Sequence, residues 1–194
     1  MNHRRALAAL ALAAAYSAPA HAVDVAITGN GVWHPFSVAP ELAPIASPLS
    51  WIDDSGTPLR FTFVVGAGLT GTLTVVDLAI AGDTFRIFNR DSFFADTSSV
   101  PVGSYESSHD VGLDYAAALA DGSFSRGVYT LVAGSYGILG SLLQSVTLGG
   151  EPLFATAGAL SLTTLPVPEP ETYALLAAGL LTVGALSRRR RHDA

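Results

Sequence analysis

Short runs in which apolar and polar residues alternate fill the middle of the chain. Val23-Asp24-Val25-Ala26-Ile27-Thr28 alternates until Gly29-Asn30-Gly31, which has the composition of a turn. Phe61, Phe63 and Val65 share one face, with Thr62 and Val64 on the other. Leu73 and Val75 alternate with Thr72 and Thr74. Phe85 and Ile87 oppose Thr84, Arg86 and Phe88, and Tyr129 and Leu131 alternate with Val128, Thr130 and Val132. Successive side chains of a strand point to opposite faces, so a period of two predicts half-buried strands. Gly66-Ala67-Gly68, Ala81-Gly82-Asp83, Asn89-Arg90-Asp91 and Gly134-Ser135 separate the runs with turn chemistry. Leu113 to Gly122 reads as a helix instead, with Asp114 to cap it, Ala116 to Ala118 to favour it and Asp121-Gly122 to end it. The pattern predicts an all-β fold, a single antiparallel β-sandwich, jelly-roll-like or immunoglobulin-like, with one short helix. No repeat of fixed period emerges, which argues against a propeller or solenoid. Pro35 to Pro58 holds five prolines, Pro35, Pro40, Pro44, Pro48 and Pro58, and is predicted to wrap an edge.

Both ends of the chain break this pattern. Arg4 and Arg5 precede the apolar run Ala6 to Ala15, and Ala20 and Ala22 stand in an A-x-A arrangement. That is the make-up of a secretory signal, with signal peptidase expected to cut after Ala22. At the other end, prolines at 166, 168 and 170 bias the backbone towards an extended, polyproline-like tether over Leu165 to Pro170. Thr172 suits a helix N-cap and Tyr173 a membrane interface. Thr172 to Ser187 would rise roughly 24 Å as a helix. That is short of the roughly 30 Å hydrocarbon core, so thinning of the bilayer or snorkelling of the arginines is required. Arg188, Arg189, Arg190 and Arg191 would hold that end in the cytoplasm, leaving Pro168-Glu169-Pro170 outside.

Motif, apolar helix and arginine cluster in this order resemble the PEP-CTERM domain of exported bacterial proteins, over residues 166 to 191. Such proteins are processed by an exosortase-type membrane transpeptidase. Together these readings divide the chain into a secretory signal peptide over 1–22, a β-sandwich domain over 23–165 and a sorting tail over 166–194. The resemblance implies an exported protein held first in the inner membrane by its transmembrane helix, then passed to the cell surface or extracellular matrix. The relatives accompany exopolysaccharide production and biofilm formation in Gram-negative bacteria. A structural or adhesive role follows as the expectation, with exopolysaccharide a candidate partner. A membrane-anchored periplasmic carbohydrate-binding module is the alternative, and a secreted hydrolase ranks below it.

Charge and composition narrow the chemistry. Between the two signals, Val23 to Val167 carries thirteen acids and four arginines, a net −9, and the chain has no lysine. Nucleic-acid binding needs clustered cations and is excluded on this count. The absence of cysteine removes disulfides, thiol nucleophiles and thiolate metal sites. Ser108-His109-Asp110 holds the residue types of a hydrolytic triad, but triad members converge from separate elements, so the reading is a solvated loop. Ala133-Gly134-Ser135-Tyr136-Gly137 lacks the residues and the strand-to-helix setting of a nucleophile elbow. Asp53-Asp54, Asp91 with Asp96, and Asp110 with Asp114 are loop acids of the kind that ligate calcium, yet none forms an organised calcium loop. The expectation is a protein with no enzyme activity, no cofactor and no metal. Trp33 and Trp51 are the candidate ligand contacts, through stacking on sugar rings.

Overall fold

The structure is a computed structural model, and it describes residues 22–41, 49–167 and 175–182. Ala20 of the signal site, Pro168, Glu169 and Pro170 of the motif, and Arg188, Arg189, Arg190 and Arg191 lie outside the described residues.

Two sheets make the domain. The first contains β1 (Val23–Ala26), β3 (Leu59–Val65), β8 (Gly134–Gln144), β5 (Thr84–Asn89) and β6 (Ser92–Asp96), in that order across the sheet. The second orders β2 (Asn30–Val38), β11 (Thr156–Pro166), β4 (Leu69–Leu78) and β7 (Arg126–Leu131). A short ribbon of β9 (Thr147–Leu148) and β10 (Glu151–Pro152) lies apart from both. The alternation reads true where it is clearest. Phe61, Phe63, Val65, Leu73, Val75, Phe85, Ile87 and Leu131 all enter one core between the sheets. Helix α1 (Tyr115–Ala120) begins as expected: the Asp114 carboxylate accepts the backbone N–H groups of Ala116 and Ala117. It covers Val76, Leu78 and Ala159 on the outer face of the second sheet, so that sheet is buried on both sides there.

Three expectations change. Pairing is not wholly antiparallel, because β1 runs parallel to β3, with Val23 opposite Leu59 and Ala26 opposite Thr62. After β1 the chain crosses to the other sheet as β2 before returning as β3, and such an excursion lets a strand come back in the same direction. Gly29-Asn30-Gly31 is therefore a crossing between sheets, and Asn30 already belongs to β2.

Second, Leu165 and Pro166 are not tether. They close β11, paired with Thr70 and Leu69 of β4. The Val167 N–H donates to the Gly68 carbonyl, which turns the Pro166 nitrogen to the opposite side, beyond the last bond to that flank, Thr164 N to Gly29 O. A proline fits there because no ladder partner awaits its missing donor.

Third, Trp51 is a core residue. Pro35 lies in β2, an edge strand, as the proline content demands. Residues 49–52 then plug a corner of the sandwich. Trp51 N–H donates to Gly140 of β8, and Ile52 exchanges two bonds with Ser37 of β2. The Trp51 ring stacks on Phe36 at 3.9 Å and 13°, and meets Phe85 edge-on. Each ring of the stack lies over a glycine: a Cβ at Gly140 would fall 2.2 Å from Trp51, and one at Gly158 would fall 2.4 Å from Phe36.

Candidate functional site

The last described residue before Pro168 is still bonded to the domain. β11 is an interior strand between β2 and β4, and its ladder to β4 continues to Pro166. Val167 is still hydrogen-bonded, at 2.8 Å, to Gly68. Pro168 therefore follows a residue fixed to the sandwich. Beyond it, residues 175–182 form a helix whose leucines, Leu175, Leu176, Leu180 and Leu181, are exposed. Among the described residues no helix is long and apolar enough to cross a membrane. The expected span from Thr172 to Ser187 is described only over 175–182. At the other end, Val23, expected to begin the mature chain, is the first residue of β1, and its N–H donates to the Pro58 carbonyl.

The residues singled out for chemistry do not gather in one place. Trp51 has no exposed surface and its indole N–H has no hydrogen-bond partner, so it cannot stack on a ligand. Trp33 is half-buried, with one face covered by Tyr115 at 5.1 Å. Asp110 accepts the backbone N–H of Gly112, a local turn, while His109 Nδ1 lies 2.6 Å from Asp121 instead. Ser108 Oγ accepts the N–H of Ser104. The Asp121 carboxyl is held down to about 2 by the Ser123 N–H, His109 and the Ser123 hydroxyl. Such an anchored acid locks the 121–123 turn at the end of α1.

Four of the six loop acids, Asp53, Asp96, Asp110 and Asp114, are likewise engaged. Asp53 accepts the N–H groups of Ser55 and Thr57, Asp114 caps α1, and Asp96 takes both guanidinium bonds of Arg86. Among the described residues no cluster of three or more histidines or acids could hold a metal ion.

Two features escaped the sequence reading. Asp77 and Asp83 are buried carboxylates at the far end of β4 and the start of β5. Asp77 Oδ2 accepts the N–H groups of Gly82 and Asp83, and its Oδ1 has no partner. Burial, reinforced by the Asp83 charge, pushes Asp77 up to about 9. Burial also raises Asp83 to about 6, against a bond from the Val146 N–H. The second feature is an open groove of about 630 Å³ on the first sheet, where β1, β3 and β8 meet the β5–β6 turn. Arg60 and Arg90 flank Gly137, where a Cβ would meet both stems at 3.4 and 3.5 Å. Asp24 pairs with Arg60 at 2.6 Å, and Asp91 and Tyr136 complete the walls. Arg90 and Asp91 both have positive φ, 50° and 67°, uncommon for residues with side chains.

The PEP-CTERM protein-sorting motif matches residues 166–191. Its match begins at the last residue of β11. No curated protein matches the chain. Among solved structures, the chain is similar to the pre-peptidase C-terminal domain of collagenase from Bacillus anthracis. The likeness has 10% identity and a TM-score of 0.39, over 76% of this chain and 99% of that one.

Proposed function

We propose that the chain is an exported protein of the cell surface or extracellular matrix, in which the β domain is a structural or adhesive component and has no enzyme activity. Its tail carries the PEP-CTERM sorting motif, which supports sorting to the surface by an exosortase-type enzyme. The observation that carries the reading is the direct passage of an interior strand, β11, into the matched motif. Export would remove residues 1–22 by signal peptidase. The apolar tail would hold the remaining chain in the inner membrane until the exosortase acts, with exopolysaccharide the candidate partner on arrival. Replacing Pro168-Glu169-Pro170 by three alanines tests the reading. The apolar helix and Arg188 to Arg191 stay, so the variant is expected to be exported and anchored but to remain full-length in the membrane. Arrival at the surface at the normal mature mass would reduce the motif to a linker.

A carbohydrate-binding module is the second reading, now favoured by the groove rather than by the tryptophans. The Arg60–Asp24 pair, with Arg90 and Asp91 on the same groove, offers guanidinium and carboxylate groups that can bond sugar hydroxyls. Loss of binding to the host's own polysaccharide in Arg90→Ala would support it.

A further inference from the structure

We infer that the end of the sandwich from which the tail departs is a membrane-seating face, which rests on a lipid bilayer while the tail still holds the chain; this builds on the membrane-held intermediate proposed above.

Three passages of the chain meet at this end. Residues 66–68 link β3 to β4, residues 132–133 link β7 to β8, and β11 leaves through Pro166 and Val167. The register brings them together: Val65 lies opposite Gly134, Gly71 opposite Leu131, and Leu165 opposite Thr70. Aliphatic side chains stand in solvent there, with Val64 69%, Val132 73%, Leu165 68% and Val167 47% exposed. Val64 stands on the outer face of the first sheet and Leu165 on that of the second, with Val132 and Val167 in the chain leaving the strands, so apolar side chains rim this end rather than one face.

Charge is segregated in the same sense. Residues 61–76, 127–143 and 152–168, which build this end, contain no Asp, Glu, Lys, Arg or His, in a domain of thirteen acids and four arginines. Most of the acids collect at the other end, in the 53–57 turn, at Asp77 and Asp83, and around α1, while Asp91 lies beside Arg90 in the β5–β6 turn, on the groove that Val64 also lines. Going up from Gly134, the first charged neighbours are Arg90, whose N–H bonds Gly137, and Asp91 beside it. Three strand residues separate those levels, about 10 Å. That is comparable to the screening length of about 8 Å at physiological ionic strength. An anionic bilayer surface would therefore repel this end less than the acid-rich opposite end, whose exposed Val102, Tyr105 and Leu113 stand among carboxylates.

The tether sets the distance. Val167 is fixed to Gly68, and the five peptide steps to Thr172 span at most roughly 18 Å. Four aliphatic side chains alone would hold a bilayer weakly. A tether this short makes their contact intramolecular and raises its effective concentration. A seated domain would also present Pro168-Glu169-Pro170 at a fixed height above the membrane, where a membrane enzyme cuts.

The lack of cysteine makes the test clean. Single cysteines at Val64, Val132, Leu180 and, on the opposite end, Ser55 would carry a dye whose emission brightens and shifts blue in apolar surroundings. The chain from Val23 to Ala194 would be placed in vesicles of phosphatidylcholine and phosphatidylglycerol. The expected result is a blue shift at 180, 132 and 64 and none at 55. Val132→Asp, at an exposed position, should abolish the shift at 64 and leave that at 180, with the far-ultraviolet circular dichroism unchanged. A shift at 180 alone, with 132 and 64 reading like 55, would overturn the seating face and leave the membrane-held tail intact. No shift at 180 would overturn the tail reading itself, and the seating face with it. A shift at 132 that grows with protein concentration in the absence of vesicles would assign the face to a second copy and overturn the inference.

Discussion

Asp77 sits where the alternation of β4 puts it. Leu73 and Val75 point into the core, and two residues on, the same face presents a carboxylate. Its acidity is raised by burial first and by Asp83 second, and Asp83 is raised by burial as well. Raised acids bind protons in the folded state at pH values where the unfolded chain has lost them. Their stabilisation is therefore complete below the unfolded value near 3.8 and is lost as pH rises, through about 6 for Asp83 and about 9 for Asp77. Exposed acids such as Asp53 and Asp96 are lowered, so their contribution is present above about pH 4 and is lost below it. The melting temperature should peak near pH 4–5 and fall towards pH 9 as the two buried carboxyls are forced to ionise. Asp77→Asn keeps the shape of the neutral acid and should flatten that fall. A melting temperature that rises between pH 5 and 9 would contradict the assignment. Calcium, by contrast, should change little. Four of the six loop acids already serve turns, a helix cap or Arg86, and no three acids or histidines gather among the described residues, so a thermal shift below about 5 °C is expected. The burial of Asp77 could have been read from the chain, since a period of two that counts Leu73 and Val75 inside must count Asp77 inside too; that of Asp83, in a turn, could not.

The strands that were hardest to read are the two interior ones richest in small residues. β8 and β11 carry Gly137, Gly140 and Gly158, residues that weaken a strand in isolation; the sequence pattern marked only one end of each, Gly134-Ser135 as a turn and Leu165-Pro166 as tether. Here the glycines make room. Trp51 lies over Gly140 and Phe36 over Gly158, so ring surface from neighbouring chain fills what a side chain would occupy. That compensation is long-range and leaves no local periodic trace. The strands with large alternating residues, β3, β4, β5 and β7, needed no such partner and were legible. Gly140→Ala tests the point at this scale. Its methyl must displace a packed indole, so a loss of about 1–3 kcal/mol is expected, read as a lower melting temperature by circular dichroism. An unchanged melting temperature would mean that the Trp51 plug is looser than its stacking implies.

At the scale of the whole molecule, the destination was more legible than the task. Sorting signals are linear, and the order of motif, apolar stretch and arginines can be read without folding anything; the matched residues 166–191 coincide with that reading. The ligand contacts were not legible, since exposure depends on the completed sandwich: Trp51 went into the core, and the Arg60–Arg90 groove is assembled from β1, β3, β8 and the β5–β6 turn. The central claim is that the β domain travels under two terminal signals and arrives without them. Its most direct test is the intact mass of the protein recovered from the membrane and from the surface or extracellular fraction of the same cells. The account predicts a membrane form from Val23 to Ala194, and a surface form that also begins at Val23 but ends near Pro168-Glu169-Pro170, lacking the helix at 175–182 and the four arginines. A surface form that still ends at Ala194, or that keeps Arg4 and Arg5, would contradict it.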